Sequence, residues 1–135
     1  MNARLPDAPE PAIVELRIPA RAEWVAVARL AIAGVASRFD FSVEDIEDIK
    51  LAISEACTIC IRRAQEGDQI EILCREDVGH LLVSVSSGVA GRLAVAHPDD
   101  SLALVIVESL MDRVELRSES AACLVEMSKR IAGGS

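Results

Sequence analysis

The sequence predicts an α+β fold: a two-layer sandwich in which a mixed, mostly antiparallel β-sheet is covered on one face by helices. Three observations lead there. The chain has 135 residues, 51% of them hydrophobic and 27% charged, which suits one ordinary domain whose core needs no disulfide or structural metal. Apolar spacing switches between the strand period and the helix period in the order β-α-α-β-β-α-β-β. Strands joined by short turns pair antiparallel, and the helices are left to cover one face.

Residues Met1 to Pro11 carry three prolines among small and charged residues and read as a loose tail. The expected organisation is a flexible tail over residues 1–12 and a single domain over 13–131. Ile13 to Ile18 alternates apolar and polar side chains, as a short strand does. Arg21 to Phe39 follows Pro19, is rich in alanine, and places Trp24, Val27, Ala31 and Val35 at helical spacing. Val25, Ile32 and Ala36 add apolar surface on its other sides, so this helix is either buried against two layers or used in a partner contact.

A second helix begins at Ser42, where Ser42-Val43-Glu44-Asp45 supplies a capping hydroxyl and an acidic first turn, and it should run to about Ala64. Ile46, Ile49, Ile53, Cys57, Cys60 and Ala64 form its main apolar stripe. Leu51, Ala52 and Ile59 form a smaller strip nearly opposite, and Glu55 sits in that strip. A carboxylate among apolar neighbours tends to be partly desolvated, which makes Glu55 the most chemically suggestive residue. The bland alternative is a solvated glutamate on an exposed face.

Gln69 to Glu76 and Leu81 to Ser87 alternate well and are joined by Asp77-Val78-Gly79-His80, an antiparallel hairpin. A loop from Gly88 to Pro98 leads into a third helix from about Asp99 to Met111, with Leu102, Val105, Ile106 and Leu110 expected on its core face. Strands Arg113 to Glu119 and Cys123 to Lys129 close the domain, with Cys123, Val125 and Met127 on one side, and the chain ends through Gly133 and Gly134.

Net charge of −8 argues against direct nucleic-acid binding, because that affinity is dominated by Lys and Arg contacts to phosphate. A role in gene regulation would run through another protein, whose basic surface an acidic partner can meet. No apolar run approaches a membrane span and the N-terminus lacks the order of a signal peptide, so the expected location is cytoplasmic. Cys57, Cys60, Cys74 and Cys123 are then expected to be free thiols. Cys57 and Cys60 form a C-x-x-C inside a helical pattern, but no second pair or nearby histidine completes four ligands, so a metal or redox site is the lesser reading. His80 and His97 fall in loops and read as solvated.

The run Ile18-Pro19-Ala20, Glu23-Trp24-Val25, Ala28-Arg29, Gly34-Val35-Ala36 and Asp45 through Thr58, with Ser54-Glu55-Ala56 at its heart, resembles the anti-sigma-factor kinases of the RsbW and SpoIIAB type. The resemblance extends to Glu108-Ser109-Leu110-Met111-Asp112-Arg113-Val114. It implies the GHKL, histidine-kinase-like ATPase fold, and a protein that holds a sigma factor from RNA polymerase, phosphorylates a serine of a STAS-domain anti-anti-sigma factor, uses ATP and Mg²⁺, and forms a homodimer.

Position by position, the resemblance also implies losses. Glu55 matches the general base, but Ile59 stands where the family has its Mg²⁺-ligating asparagine, and a hydrocarbon cannot ligate a hard cation. Ser86 aligns with the adenine-reading aspartate, while Gly88 keeps the glycine after it. The phosphate-cradling Gly-x-Gly at the third helix is replaced around Ser101 and Ala103, the final Gly-Thr by Ala122-Cys123, and the lid between Gly88 and Ser101 is shorter. Asp99 and Asp100 lie just ahead of the third helix and would compete with a phosphate for its positive end. At about 1–3 kcal/mol per lost contact, three or four losses take a micromolar site beyond useful affinity.

The leading expectation is therefore an anti-sigma-factor-like binding protein for a sigma factor, a STAS-domain antagonist or both, with no cofactor and no metal at Ile59. One alternative is an active serine kinase, with Glu55 as base and a rewired ATP and Mg²⁺ site. Another is a pocket for a different small ligand, anchored by Glu55 and Ser86. The plainest is a cleft that Ile59 and its neighbours fill with core.

Overall fold

The computed structural model describes residues 12–89, 91–92, 96–118 and 121–132. In chain order they form β1 (Val14–Pro19), a turn of 3-10 helix (Ala22–Trp24), α1 (Val25–Ala36), α2 (Val43–Arg62), β2 (Gln69–Asp77), β3 (His80–Ser87), α3 (Asp100–Leu110), β4 (Arg113–Arg117) and β5 (Cys123–Arg130). The tail expected over residues 1–12 falls, but for residue 12, outside the described residues, as do Glu119, Gly133 and Gly134. Among the described residues no helix is long and apolar enough to cross a membrane.

The five strands form one sheet in the order β1-β2-β3-β5-β4. Every neighbouring pair is antiparallel, so the sheet is wholly antiparallel rather than mixed. β4 runs in the same direction as β3 but does not touch it, because β5 is inserted between them. The β2–β3 hairpin closes through Val78 and Gly79, at φ of 44° and 77°. A two-residue turn of this kind needs positive φ at both positions to match the twist of its strands.

One face of the sheet carries the core. Ile70, Ile72 and Cys74 of β2, Leu81, Val83 and Val85 of β3, and Cys123, Val125 and Met127 of β5 are all buried, and the register sets Ile72 opposite Val85 and Val85 opposite Val125. α2 crosses this face with α1 and α3 packed beside it. That position explains why its two expected strips merge: Ile49, Ala52, Ile53, Ala56, Cys57, Ile59 and Cys60 are all fully buried, and only Leu51 of the second strip is exposed. Ser42 caps α2 as expected, accepting from the Asp45 N–H while Asp45 accepts from the Ser42 N–H.

Two helices depart from expectation. α3 buries Asp100, Ala103 and Val107, whereas Leu102 and Val105 are 64% and 60% exposed. Residues 102–107 are apolar without a break, so spacing admits several faces, and packing against α2 selects the one with the small Ala103. In α1, Ala28, Ile32, Val35 and Ala36 are buried, but Val27 and Leu30, with Trp24 just ahead of the helix, stay exposed, so of the two readings open for this helix burial against two layers is the one set aside.

Candidate functional site

Four chain segments converge at one end of the sandwich: the last turn of α2, the head of α3, the end of β3 and the start of β5. Cys60 of α2 meets β3 and β5 there, and Asp100, the first residue of α3 and only 4% exposed, ties α3 to the end of α2. Its Oδ1 accepts from Arg62 Nε at 3.2 Å, and its Oδ2 from Arg63 Nε at 2.9 Å and from the His97 backbone N–H at 3.1 Å. Burial opposes the charge on Asp100, but the His97 N–H and the two guanidinium groups outweigh it and hold the carboxyl below the usual carboxylate range. The carboxylate thus takes the two arginines and the loop N–H ahead of α3, donors that could otherwise serve an incoming anion. Asp99, its neighbour, caps nothing with its side chain and stays exposed.

A second ion pair closes the other side. Arg92, in the loop after β3, donates from Nη1 to Asp68 Oδ1 at 3.1 Å and reaches Asp68 Oδ2 with Nη2. The Arg92 hydrogen bond is the main cause of the low pKa of Asp68. The guanidinium lies against Gly88, where φ is +77°; a Cβ there would collide with Arg92 Nη2 and come within 2.6 Å of the Ala122 Cβ. An open cavity of about 350 Å³ flanks this contact, lined in part by Asp68, Ser86, Ser87, Gly88 and Ala121.

The residues singled out in the sequence distribute around this point as follows. Glu55 is half-buried on α2 and makes no hydrogen bond or ion pair among the described residues. Ile59, one turn on, is fully buried and belongs to the core cluster, and the same side of α2 continues to Arg62 and Arg63. Ala103 and Ala122 are 3% and 1% exposed, while Ser101 is exposed. Strand alternation separates the two serines of β3: Ser87 is buried on the helix side and donates to the Cys60 carbonyl at 3.2 Å, and Ser86 faces away from the helices. Sequence reasoning did not single out Ser87, Arg62, Arg63 or the Asp68–Arg92 pair. The adjacent arginines at the end of a helical pattern were the one visible signal, and Asp100 was the acid waiting to be matched to them.

A separate groove of about 580 Å³ lies between α1 and α2, lined by Arg29, Leu30, Glu47, Lys50, Leu51 and others. Its apolar lining includes Leu30, 73% exposed, and Leu51, 49% exposed.

Comparison with known proteins gives a consistent outcome. The profile of the histidine kinase-like ATPase domain matches residues 18–129. The chain is similar to the serine-protein kinase RsbW of Bacillus pumilus (strain SAFR-032), 33% identical over 138 residues, covering 87% of this chain and 85% of that protein. It is likewise similar to the serine-protein kinase RsbW of Bacillus cereus (strain G9842), 35% identical with 87% and 84% covered. Among solved structures, 87% of the chain superposes on 32% of the RsbU and RsbW domains of Rv1364c from Mycobacterium tuberculosis, with a TM-score of 0.66 and 16% identity. It also superposes on the histidine kinase domain from the Erythrobacter litoralis EL346 blue-light activated histidine kinase, with a TM-score of 0.55 and 17% identity, covering 87% of this chain and 63% of that one. At such identities the two structures speak to the fold alone.

Proposed function

Since this chain belongs to the histidine kinase-like ATPase domain family, as a relative of the RsbW serine-protein kinases, we propose that it is an anti-sigma-factor-like regulator that works without bound ATP and without kinase activity. It would bind a sigma factor, a STAS-domain anti-anti-sigma factor or both, as a cytoplasmic homodimer whose single domain spans residues 13–131. The observation that carries this reading is the buried Asp100 carboxylate held by Arg62, Arg63 and the His97 N–H. A phosphate entering at the head of α3 would have to displace a carboxylate already matched to its donors and leave it buried without them.

Two further residues support the reading. At Ile59 a fully buried hydrocarbon stands where the resemblance puts an oxygen ligand, so Mg²⁺ has no partner there. At Gly88 the space beside the glycine is taken by Arg92 and Ala122. The residues therefore fit a magnesium nucleotide poorly. Glu55 favours the second reading, an active serine kinase: half-buried and without a partner among the described residues, it remains available as a base.

The deciding measurement pairs a calorimetric Mg²⁺-ATP titration with binding to purified sigma factors and STAS-domain proteins of the host. The expected outcome is no heat and no thermal shift at millimolar nucleotide, with partner binding unchanged by ATP. Micromolar nucleotide binding, or phosphate transfer to a STAS-domain serine, would restore the kinase reading. Failure to bind either class of partner would remove the regulator reading.

A further inference from the structure

All four cysteines are free and fully buried, yet they fall into two kinds. Burial alone pushes the Cys57 and Cys74 thiols up to about 12, which leaves them inert. Cys60 and Cys123 meet each other. Cys60 comes from the last turn of α2 and Cys123 is the first residue of β5, and their Sγ atoms are 3.2 Å apart. The C-x-x-C spacing that draws attention to Cys57 thus hides the pairing that the fold makes, between Cys60 and a residue far along the chain.

We propose that Cys60 and Cys123 are a reversible redox pair, closed to an intramolecular disulfide by a hydroperoxide oxidant and reopened by a thiol reductant. The Cys123 sulfur attacks one peroxide oxygen, the O–O bond breaks, and Cys123 becomes a sulfenic acid with release of water. The Cys60 sulfur then attacks the Cys123 sulfur, the S–O bond breaks and a second water leaves. Two thiols and one hydrogen peroxide give one disulfide and two waters.

The positive charge of Arg63 beside Cys123 favours this order of attack. The Cys123 thiol is held below its ordinary range by its contact with the Cys60 sulfur, in which either sulfur can be the donor, and, against burial and the Asp100 charge, by the positive charge of Arg63. Cys60 is pushed up by its contact with Cys123 and by burial, which suits it to the second, resolving step. The sulfurs need to close by roughly 1.2 Å to reach the S–S bond length of about 2.0 Å. Because both are buried, peroxide enters through local opening, and the reaction should be slow. The bond would tie the end of α2 to the start of β5, one turn from Arg63 and next to Ala122, beneath the Asp100 contact.

The test treats the full folded chain with hydrogen peroxide, alkylates the remaining thiols under denaturing conditions, and maps tryptic peptides. The expected product joins peptide 118–129 to peptide 51–62, forms equally in C57S and C74S, is absent in C60S and C123S, and is reversed by dithiothreitol. Oxidation should raise Tm by about 5–10 °C, because the bridge closes a long loop. Four alkylatable thiols after prolonged exposure, a bridge that survives in C60S, or a bridge within peptide 51–62 would each overturn the proposal.

Discussion

Among single residues, Asp100 offers the sharpest test, because removing it strands two half-buried or buried guanidinium groups, with side chains 23% and 12% exposed, that it now neutralises. D100A should lower unfolding free energy by about 3 kcal/mol, read from the urea midpoint at neutral pH. The pH dependence has a definite sign. A carboxyl whose folded pKa is depressed contributes its full stabilisation above the unfolded value, about 3.9, and loses it as pH falls through the folded value. Asp100 and Asp68 are both of this kind, so the urea midpoint should drop on acidification from about pH 5 towards 3. D100N should flatten part of that drop, and an unchanged acid limb would contradict the assignment. Gly88 makes a second test: G88A combines a left-handed φ with a clash at the Ala122 Cβ, and should cost at least about 2 kcal/mol. Adding R92A should recover little, since it clears only the flexible half of the collision. At this scale the sequence is legible where backbone demands it, as at Gly88. It is less legible at Ser86 and Ser87, because a single step along β3 exchanges the two faces of the sheet and sets Ser87 on the helix side.

Elements are most legible where a local signal is self-sufficient. The Ser42-to-Asp45 spacing announces a capping box, and the box is present; S42A should lower stability by about 1 kcal/mol and Tm by a few degrees. The β2–β3 turn is equally legible from Gly79, yet it carries Val78 at a φ of 44°, a conformation that a β-branched side chain resists. V78N should therefore stabilise the protein by about 1 kcal/mol, seen as a higher Tm, and a loss of stability would show that the turn has other constraints. α3 was legible as a helix but not in its facing. Six apolar residues in a row leave the periodic signal flat, and only the arrival of α2 beside it decides that Ala103 and Val107 go inward while Leu102 and Val105 remain outside.

For the whole molecule, the order of elements could be read along the chain, but the order of strands could not, since nothing local tells β5 to insert between β3 and β4. That choice depends on contacts between residues far apart in sequence, such as Val85 with Val125. Trp24 is the only tryptophan and sits at the start of α1, where Ala28, Ile32 and Val35 anchor the helix in the shared core. Its fluorescence and the far-UV circular dichroism should therefore lose signal in one coincident thermal transition; an earlier fluorescence change would mean that α1 comes away first. Asp100 has a last consequence at this scale. An anion borne on the chain has an effective concentration set by geometry, so dilution, dialysis or a fall in cellular nucleotide leaves it in place. The tie between α2 and α3 is accordingly indifferent to metabolic supply.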